Sequence, residues 1–393
     1  PYSNTLYKDG KVVEFRQEPD TRYLHLLENF KKLKQMDQFY PAGMNTYIKR
    51  KFSGEMEIAQ EEVEELFMKL LSAPQVKKVA RLIRKRLGRK LQVTDLWYNG
   101  FKPKTALPAD KLDAITKKRY PNAAAFKADL DNILIKLGFD RQKSAAIAAQ
   151  IAVDPARGSG HAAGAVMKQQ KSRLRTRIGK NGMDYKGYNI AVHEFGHNVE
   201  QTISLHDVDY YLLNGVPSTA FTEALAFIFQ ARDLELLGQH EPDSKRSHLN
   251  TLSIFWNVYE SMGVSLVDMR VWKWLYANPD ANVKQVKQAV IKISKDVWNR
   301  YFAKFLGGKD EPILGIYSHM IGYPLYLSAY SYGYLINFQL EQHLKGKDFA
   351  KEILRIYSIG RLIPQVWMKQ AVGSEISVDP LLKAVDSAVK VIR

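Results

Sequence analysis

Cysteine is absent from all 393 residues, so neither a disulfide nor a thiolate metal ligand can belong to this fold. No apolar run approaches the length of a membrane-spanning helix, and no signal-like segment is visible at the start of the chain as given. Internal repeats and sustained heptads are also missing, which speaks against a solenoid or a coiled coil. Acidic residues are the minority charge, 41 against 58 Lys and Arg, for a formal net charge of +17. Hydrophobic residues make up 46% of the chain, ample for a sizeable core. Pro/Gly-rich breaks fall at Lys102 to Pro108 and Asp154 to Gly164, but helix-like periodicity continues on both sides and no linker separates domains.

The basic excess is concentrated in Lys77 to Lys90. Val79, Leu82, Ile83 and Leu87 recur there at helical spacing, so the stretch reads as the solvated side of a core helix, and no nucleic-acid partner is expected. Further helices are expected near Asp20 to Gln35, Gly54 to Ser72, Pro74 to Leu87, Ala109 to Ile115 and Asn122 to Leu137. The aromatic run Asp95 to Phe101 reads as a structural corner.

Chemistry enters at His193-Glu194-Phe195-Gly196-His197. On a helix the histidines stand at i and i+4, so their rings can converge on one metal ion with Glu194 beside its open position. Such a pentapeptide can arise by chance among 9 histidines. Tyr188, Ile190, Val192, Phe195 and Val199 make the run Tyr188 to Leu205 largely apolar, however, which argues for burial. Two imidazoles suit zinc, which needs a third protein ligand and an open position for a water acidified to a pKa of about 7. Glu200 lies on the same helix, and Asp207 and Asp209 come too soon for the chain to return. Glu223 is a carboxylate in the otherwise apolar segment Ala220 to Phe229, capped at Ser218 or Thr219, where an unpaired charge would be costly to bury.

With Gly160 to Ala165, Gly215 to Phe227 and His319 to Leu340 in the same order, the chain resembles the HExxH-plus-Glu zinc peptidases, or gluzincins. The likeness is to the type of angiotensin-converting enzyme, thimet oligopeptidase and oligoendopeptidase, from near Asp154 to the C-terminus. The resemblance implies a mainly α, bilobed fold with a deep cleft and one small β-sheet next to the zinc helix. Residues 1–150 would form a helical N-terminal region, a shortened lid, and 151–393 the catalytic region. It implies one zinc ion per chain held by His193, His197 and Glu223, with Glu194 as general base. Tyr330 and His319 would stabilise the oxyanion, His319 standing one residue out of register. His161, Ala162 and Ala163 would bind the substrate backbone, and Tyr326 would line the cleft. Of Tyr323, Tyr326, Tyr330 and Tyr334, two are expected in the core. Independently of the resemblance, Lys171 to Ile178 alternates like a strand with one wet face, so a hairpin-like sheet could offer its edge to an extended peptide.

Some positions depart from the resemblance. Phe227 replaces an aspartate that orients a zinc histidine, leaving Glu200 as a candidate for that task. No lysine stands near Ile316 to His319 to anchor a free C-terminus, so release of C-terminal dipeptides is not expected. Only 192 residues precede His193, and the chain begins at Pro1. It reads as a processed or shortened form, or as a compact relative with a more open groove. The expected activity is peptide hydrolysis, the alternative being a weakly active peptide-binding scaffold that keeps the metal. A cysteine-free basic chain suits a periplasmic or secreted setting over the cytoplasm, and oligomeric state is left open.

Overall fold

The computed structural model describes residues 6–8, 11–13, 20–102, 107–239 and 245–392, so the break at Lys102 to Pro108 lies largely outside the described residues. The protein is mainly helical, and its axis is the helix Arg246–Ala277. That helix is buried nearly all round, carrying the fully enclosed Trp256 and Trp272. Helices Gln60–Leu71, Val283–Tyr301, Leu327–Leu344 and Asp379–Val391 surround it. A helix buried on most of its faces needs such a jacket, because its apolar sides cannot meet water without cost.

The N-terminal helices start and stop for local reasons. Pro74–Leu87 has proline in its first turn and ends on Gly88 in a left-handed conformation. Val76, Val79, Ala80, Leu82 and Ile83 are buried, while Lys78 pairs with Asp386 at 2.5 Å and Arg86 donates to Gly100 O at 3.0 Å. The basic run is thus the outer side of a core helix and partly satisfied. The expected helix Gly54 to Ser72 divides into a π-helical turn, Arg50–Met56, and Gln60–Leu71, because Glu57 takes a left-handed φ of 56° between them. Asn122 to Leu137 likewise splits into Ala123–Lys127 and Leu130–Lys136. The corner Val93–Trp97 is held by Arg89, paired with Asp95, and by Trp256, whose Nε1 donates to Asp95 O at 3.1 Å.

The break at Asp154 to Gly164 holds the end of one strand and the whole of another, joined by a short bend. Ile151–Ala156 runs parallel to Ser172–Arg177, and His161–Ala163 pairs antiparallel on the other side, with His161 opposite Arg175. The sheet is therefore a hairpin-like pair extended by a parallel neighbour. Proline and alanine in Ile151–Ala156 mask its strand character. In the central strand Ser172, Leu174 and Thr176 are buried while Arg173 and Arg175 are exposed, as the alternation predicts. Thr176 Oγ1 donates to Gly187 O at 2.8 Å and so ties the sheet to the next helix. A separate antiparallel pair, Leu6–Lys8 with Lys11–Val13, lies near the N-terminus. Among the described residues no helix is long and apolar enough to cross a membrane.

The helices Tyr185–Asp207 and Thr219–Gln230 pack closely at Gly196, where an added Cβ would lie 2.7 Å from Ala226 Cα and 3.0 Å from Leu225 O. Alanine would gain about 1 kcal/mol in helix propensity but would force backbone apart at a cost of about 1–3 kcal/mol. Gly196→Ala is therefore expected to lower the urea midpoint, whereas Gly43→Ala, where a Cβ meets nothing within 4 Å, leaves it nearly unchanged.

Candidate metal centre

The helix Tyr185–Asp207 opens with Asp184, whose carboxylate accepts from Gly187 N at 2.7 Å, a normal N-cap bond. Two turns later His193 and His197 project from one face with ring centroids 4.9 Å apart. The neighbouring helix Thr219–Gln230 starts after Ser218, which has the backbone of an N-cap but makes no capping side-chain bond. It places Glu223 3.6 Å from His193 Nε2 and 3.8 Å from His197 Nε2. One ligand atom from each of the three residues falls within 4.8 Å of the others.

Both imidazoles are pinned from behind. His193 Nδ1 meets Gln230 Oε1 at 3.2 Å, so that nitrogen carries the proton and Nε2 faces Glu223 with a lone pair. Gln230 is itself oriented by Asn189, since its Nε2 donates to Asn189 Oδ1 at 2.7 Å. Asn189 Nδ2 donates to Asp233 Oδ2, also at 2.7 Å, and Tyr185 donates to the same oxygen. Asp233 can only accept, so it fixes the direction of every bond back to the histidine. His197 Nδ1 meets Thr222 Oγ1 at 2.9 Å. Thr222 and Ser204 in turn bond the fully buried Glu200. Glu200, the sequence candidate for orienting a histidine, therefore acts at one remove, through Thr222. The unforeseen residues are Gln230, Thr222, Asn189 and Asp233. Asn189 stands one turn before His193 and Gln230 two turns after Glu223, polar positions on the ligand faces of apolar helices.

Burial dominates the electrostatics. It pushes the carboxyl groups of Glu223 and Glu200 up to about 7. Glu194 also rises to about 7, through burial and then the Glu223 charge, opposed by a hydrogen bond from Ala162 N–H. His197 falls to about 3, through burial and then the neighbouring His193, and burial lowers His193 as well. Neutral imidazoles beside a buried carboxylate that has no cationic partner among the described residues form a donor set that fits a divalent metal, the Glu223 charge being what an ion would compensate.

A cleft of about 650 Å³ opens over the three ligands. One wall is the sheet edge. Ala162 N–H turns to Glu194 rather than to the central strand, as alternate residues of an edge strand must. Gly160 brings this strand against the helix, for a Cβ there would lie 2.4 Å from Ile190 and 3.0 Å from Glu194. His161 and Ala162 line the cleft, while Ala163 lies one residue beyond its lining. The opposite wall holds His319, Tyr323, Tyr326 and Tyr330. Tyr326 and Tyr330 cross edge to face with centroids 5.0 Å apart and are hydrogen-bonded. Burial and then Glu223 raise the Tyr330 phenol, while Tyr326 lowers it. His319 stands edge-on to Tyr330 at 6.3 Å. None of the four tyrosines is fully buried, although two, Tyr330 and Tyr334, pack against the hydrophobic core. Tyr323 is 70% exposed, Tyr326 and Tyr330 face the cleft, and Tyr334 is partly buried, stacked on Phe227 at 5.1 Å. Phe227 in turn packs on the His193 ring at 5.4 Å, supporting it by contact alone.

No protein-family model and no curated protein matches the chain. Solved structures do. A Chlamydophila abortus structure assigned to the peptidases superposes with a TM-score of 0.60 at 11% identity, over 95% of this chain and 62% of its own. Metallocarboxypeptidase 1 of Trypanosoma cruzi gives 0.55 at 14%, over 94% and 79%. PZ peptidase A with an inhibitor gives 0.59 at 13%, over 95% and 66%. The chain thus spans about two thirds of the length of several structures it matches, and at these identities the likeness establishes a shared helical peptidase fold.

The shifts fix a pH dependence for the metal-free protein. Glu194, Glu200 and Glu223 keep their protons to about pH 7 when folded but ionise near 4.5 when unfolded, so stability falls as pH rises through that window. His197 acts oppositely, but only below its unfolded value of 6.5. With chelator present, the thermal midpoint is expected to drop between pH 6.5 and 8. In Glu200→Gln that drop is smaller by calorimetry.

Proposed function

We propose that the chain is a zinc peptidase that hydrolyses extended oligopeptides. The observation that carries this reading is the convergence of His193, His197 and Glu223 beneath a cleft whose other functional groups are Glu194, a free strand edge and a tyrosine pair. Zinc bound there would polarise the scissile carbonyl and acidify water.

The protein groups divide the remaining work. The His161–Ala163 edge pairs with the substrate main chain, which gives affinity with little dependence on side chains. Glu194, held near neutrality, takes the proton of the attacking water and delivers it to the departing amine. Its position beside Ala162 puts this base next to the bound backbone. Tyr330 donates to the developing oxyanion. Because its oxygen is bonded to Tyr326, the phenol is fixed in direction before substrate arrives. His319 supports the same charge from beside Tyr330. In this reading residues 151–393 carry the chemistry and residues 1–150 buttress the far wall.

Hydrolysis of a mixed quenched-peptide library, measured with metal content, tests the proposal. Stoichiometric zinc with cleavage that chelator abolishes and zinc restores is expected, and the cut positions assign endo or exo action. Zinc without cleavage would favour the peptide-binding alternative. Glu194→Gln should retain the metal and lose at least about a thousandfold in kcat. Tyr330→Phe should lose about a hundredfold with KM little changed, as expected for a lost oxyanion donor. Undiminished turnover in Glu194→Gln would remove the assigned base.

A further inference from the structure

Leu325 has a φ of +63°, one of only three non-glycine residues with positive φ among those described. A side chain with a Cβ resists this conformation, and a buried leucine with no polar group gains nothing local from it. Leu325 is 2% exposed and immediately precedes Tyr326 and the helix Leu327–Leu344. Its N–H donates to Asp268 Oδ2 at 2.7 Å. Asp268 lies on the central helix Arg246–Ala277, is fully enclosed, and its Oδ1 has no hydrogen-bond partner among the described residues. A buried carboxylate with one backbone bond is an expensive way to hold a loop that serves only packing. Backbone strain of this kind collects where a side chain must be aimed.

The same segment is fastened at several further points. Arg22 donates to the carbonyls of Gly315, Ile316 and Tyr317 at 2.7, 2.8 and 2.8 Å. Asn29 Nδ2 donates to Ile321 O at 3.0 Å, and Tyr47 OH to Pro324 O at 3.3 Å. These grips come from the first 50 residues and bracket His319 and Tyr323.

We propose that Asp268 is a positioning residue that locks Leu325 in the left-handed conformation and thereby aims Tyr326 and Tyr330 at Glu223, with Arg22 completing the clamp. Asp268 touches neither the metal ligands nor the cleft and acts only through the backbone. Its kinetic readout rests on the peptidase reading, and its geometric readout does not.

The test places 3-fluorotyrosine at Tyr326 of the full chain and records its fluorine NMR signal with chelator and with zinc, alongside kinetics on the quenched peptides. The parent should give one narrow resonance. Asp268→Ala should broaden or split it and lower kcat by about 10- to 100-fold, with KM changed less than about threefold and zinc content unchanged. Asp268→Asn, which keeps an acceptor for Leu325 N–H, should restore the resonance and bring kcat back to within about threefold. A parental resonance and kcat in Asp268→Ala would overturn the proposal, as would equal damage by Ala and Asn. Should Asp268→Ala fail to fold, Arg22→Ala decides. It should broaden the resonance and lower kcat by about tenfold, and a parental signal there refutes the clamp. A parent without hydrolysis would end the peptidase reading, while the resonance would still decide the positioning role.

Discussion

The carboxylate of Glu223, buried in an apolar helix and facing two neutral imidazoles, is the constraint on which the rest of the structure depends. Alone it would be an uncompensated charge in a poor dielectric, and among the described residues no lysine or arginine pairs with it. The surrounding structure instead perfects its geometry toward the histidines. Gly196 lets two helices approach until nothing larger than hydrogen fits between them. Hydrogen bonds behind each ring leave both Nε2 lone pairs on the side of Glu223. A cluster so expensive without a cation, and so rigidly held, is a donor set that a divalent ion would compensate.

The cleft's two walls follow different principles. The sheet edge is a backbone device, with Ala162 N–H turned to Glu194. It brings the Glu194 carboxyl against the strand backbone through a hydrogen bond, with Gly160 allowing the approach. The tyrosine wall is a side-chain device, and its aim depends on an irregular segment held from outside by Arg22, Asn29, Tyr47 and Asp268. The N-terminal helices thus bear on the cleft without contributing a residue to its lining.

Much of the floor was legible because helical periodicity acts over one turn. The i, i+4 spacing of His193 and His197, and a lone acid at Glu223, suffice to bring the three side chains together once two apolar helices pack. The alternation in Ser172–Arg177 likewise announces a strand with one wet face. What escaped the sequence depends on partners far away in the chain. The strand Ile151–Ala156 runs into the break read at Asp154 to Gly164 because proline and alanine carry no strand pattern, and its parallel neighbour makes it a strand. Gln230 and Asn189 are ordinary amides until a third residue orients them. Leu325 gives no hint of a left-handed backbone, since the cause lies 57 residues upstream at Asp268.

The amides behind His193 also answer the question posed by Phe227. A carboxylate in direct contact with the ring would orient it and add a second buried negative charge close to Glu223 and Glu194, raising the cost of assembling the site before metal arrives. Here the fixed charge is moved back to Asp233, and Asn189 and Gln230 transmit only its hydrogen-bond direction. On the other ligand, Thr222 separates His197 from Glu200 in the same way. Each histidine is thus oriented by a carboxyl group it does not touch. With neutral groups in between, ring geometry is kept while the carboxyl groups beside the cluster are limited, among the described residues, to those of Glu223 and Glu194.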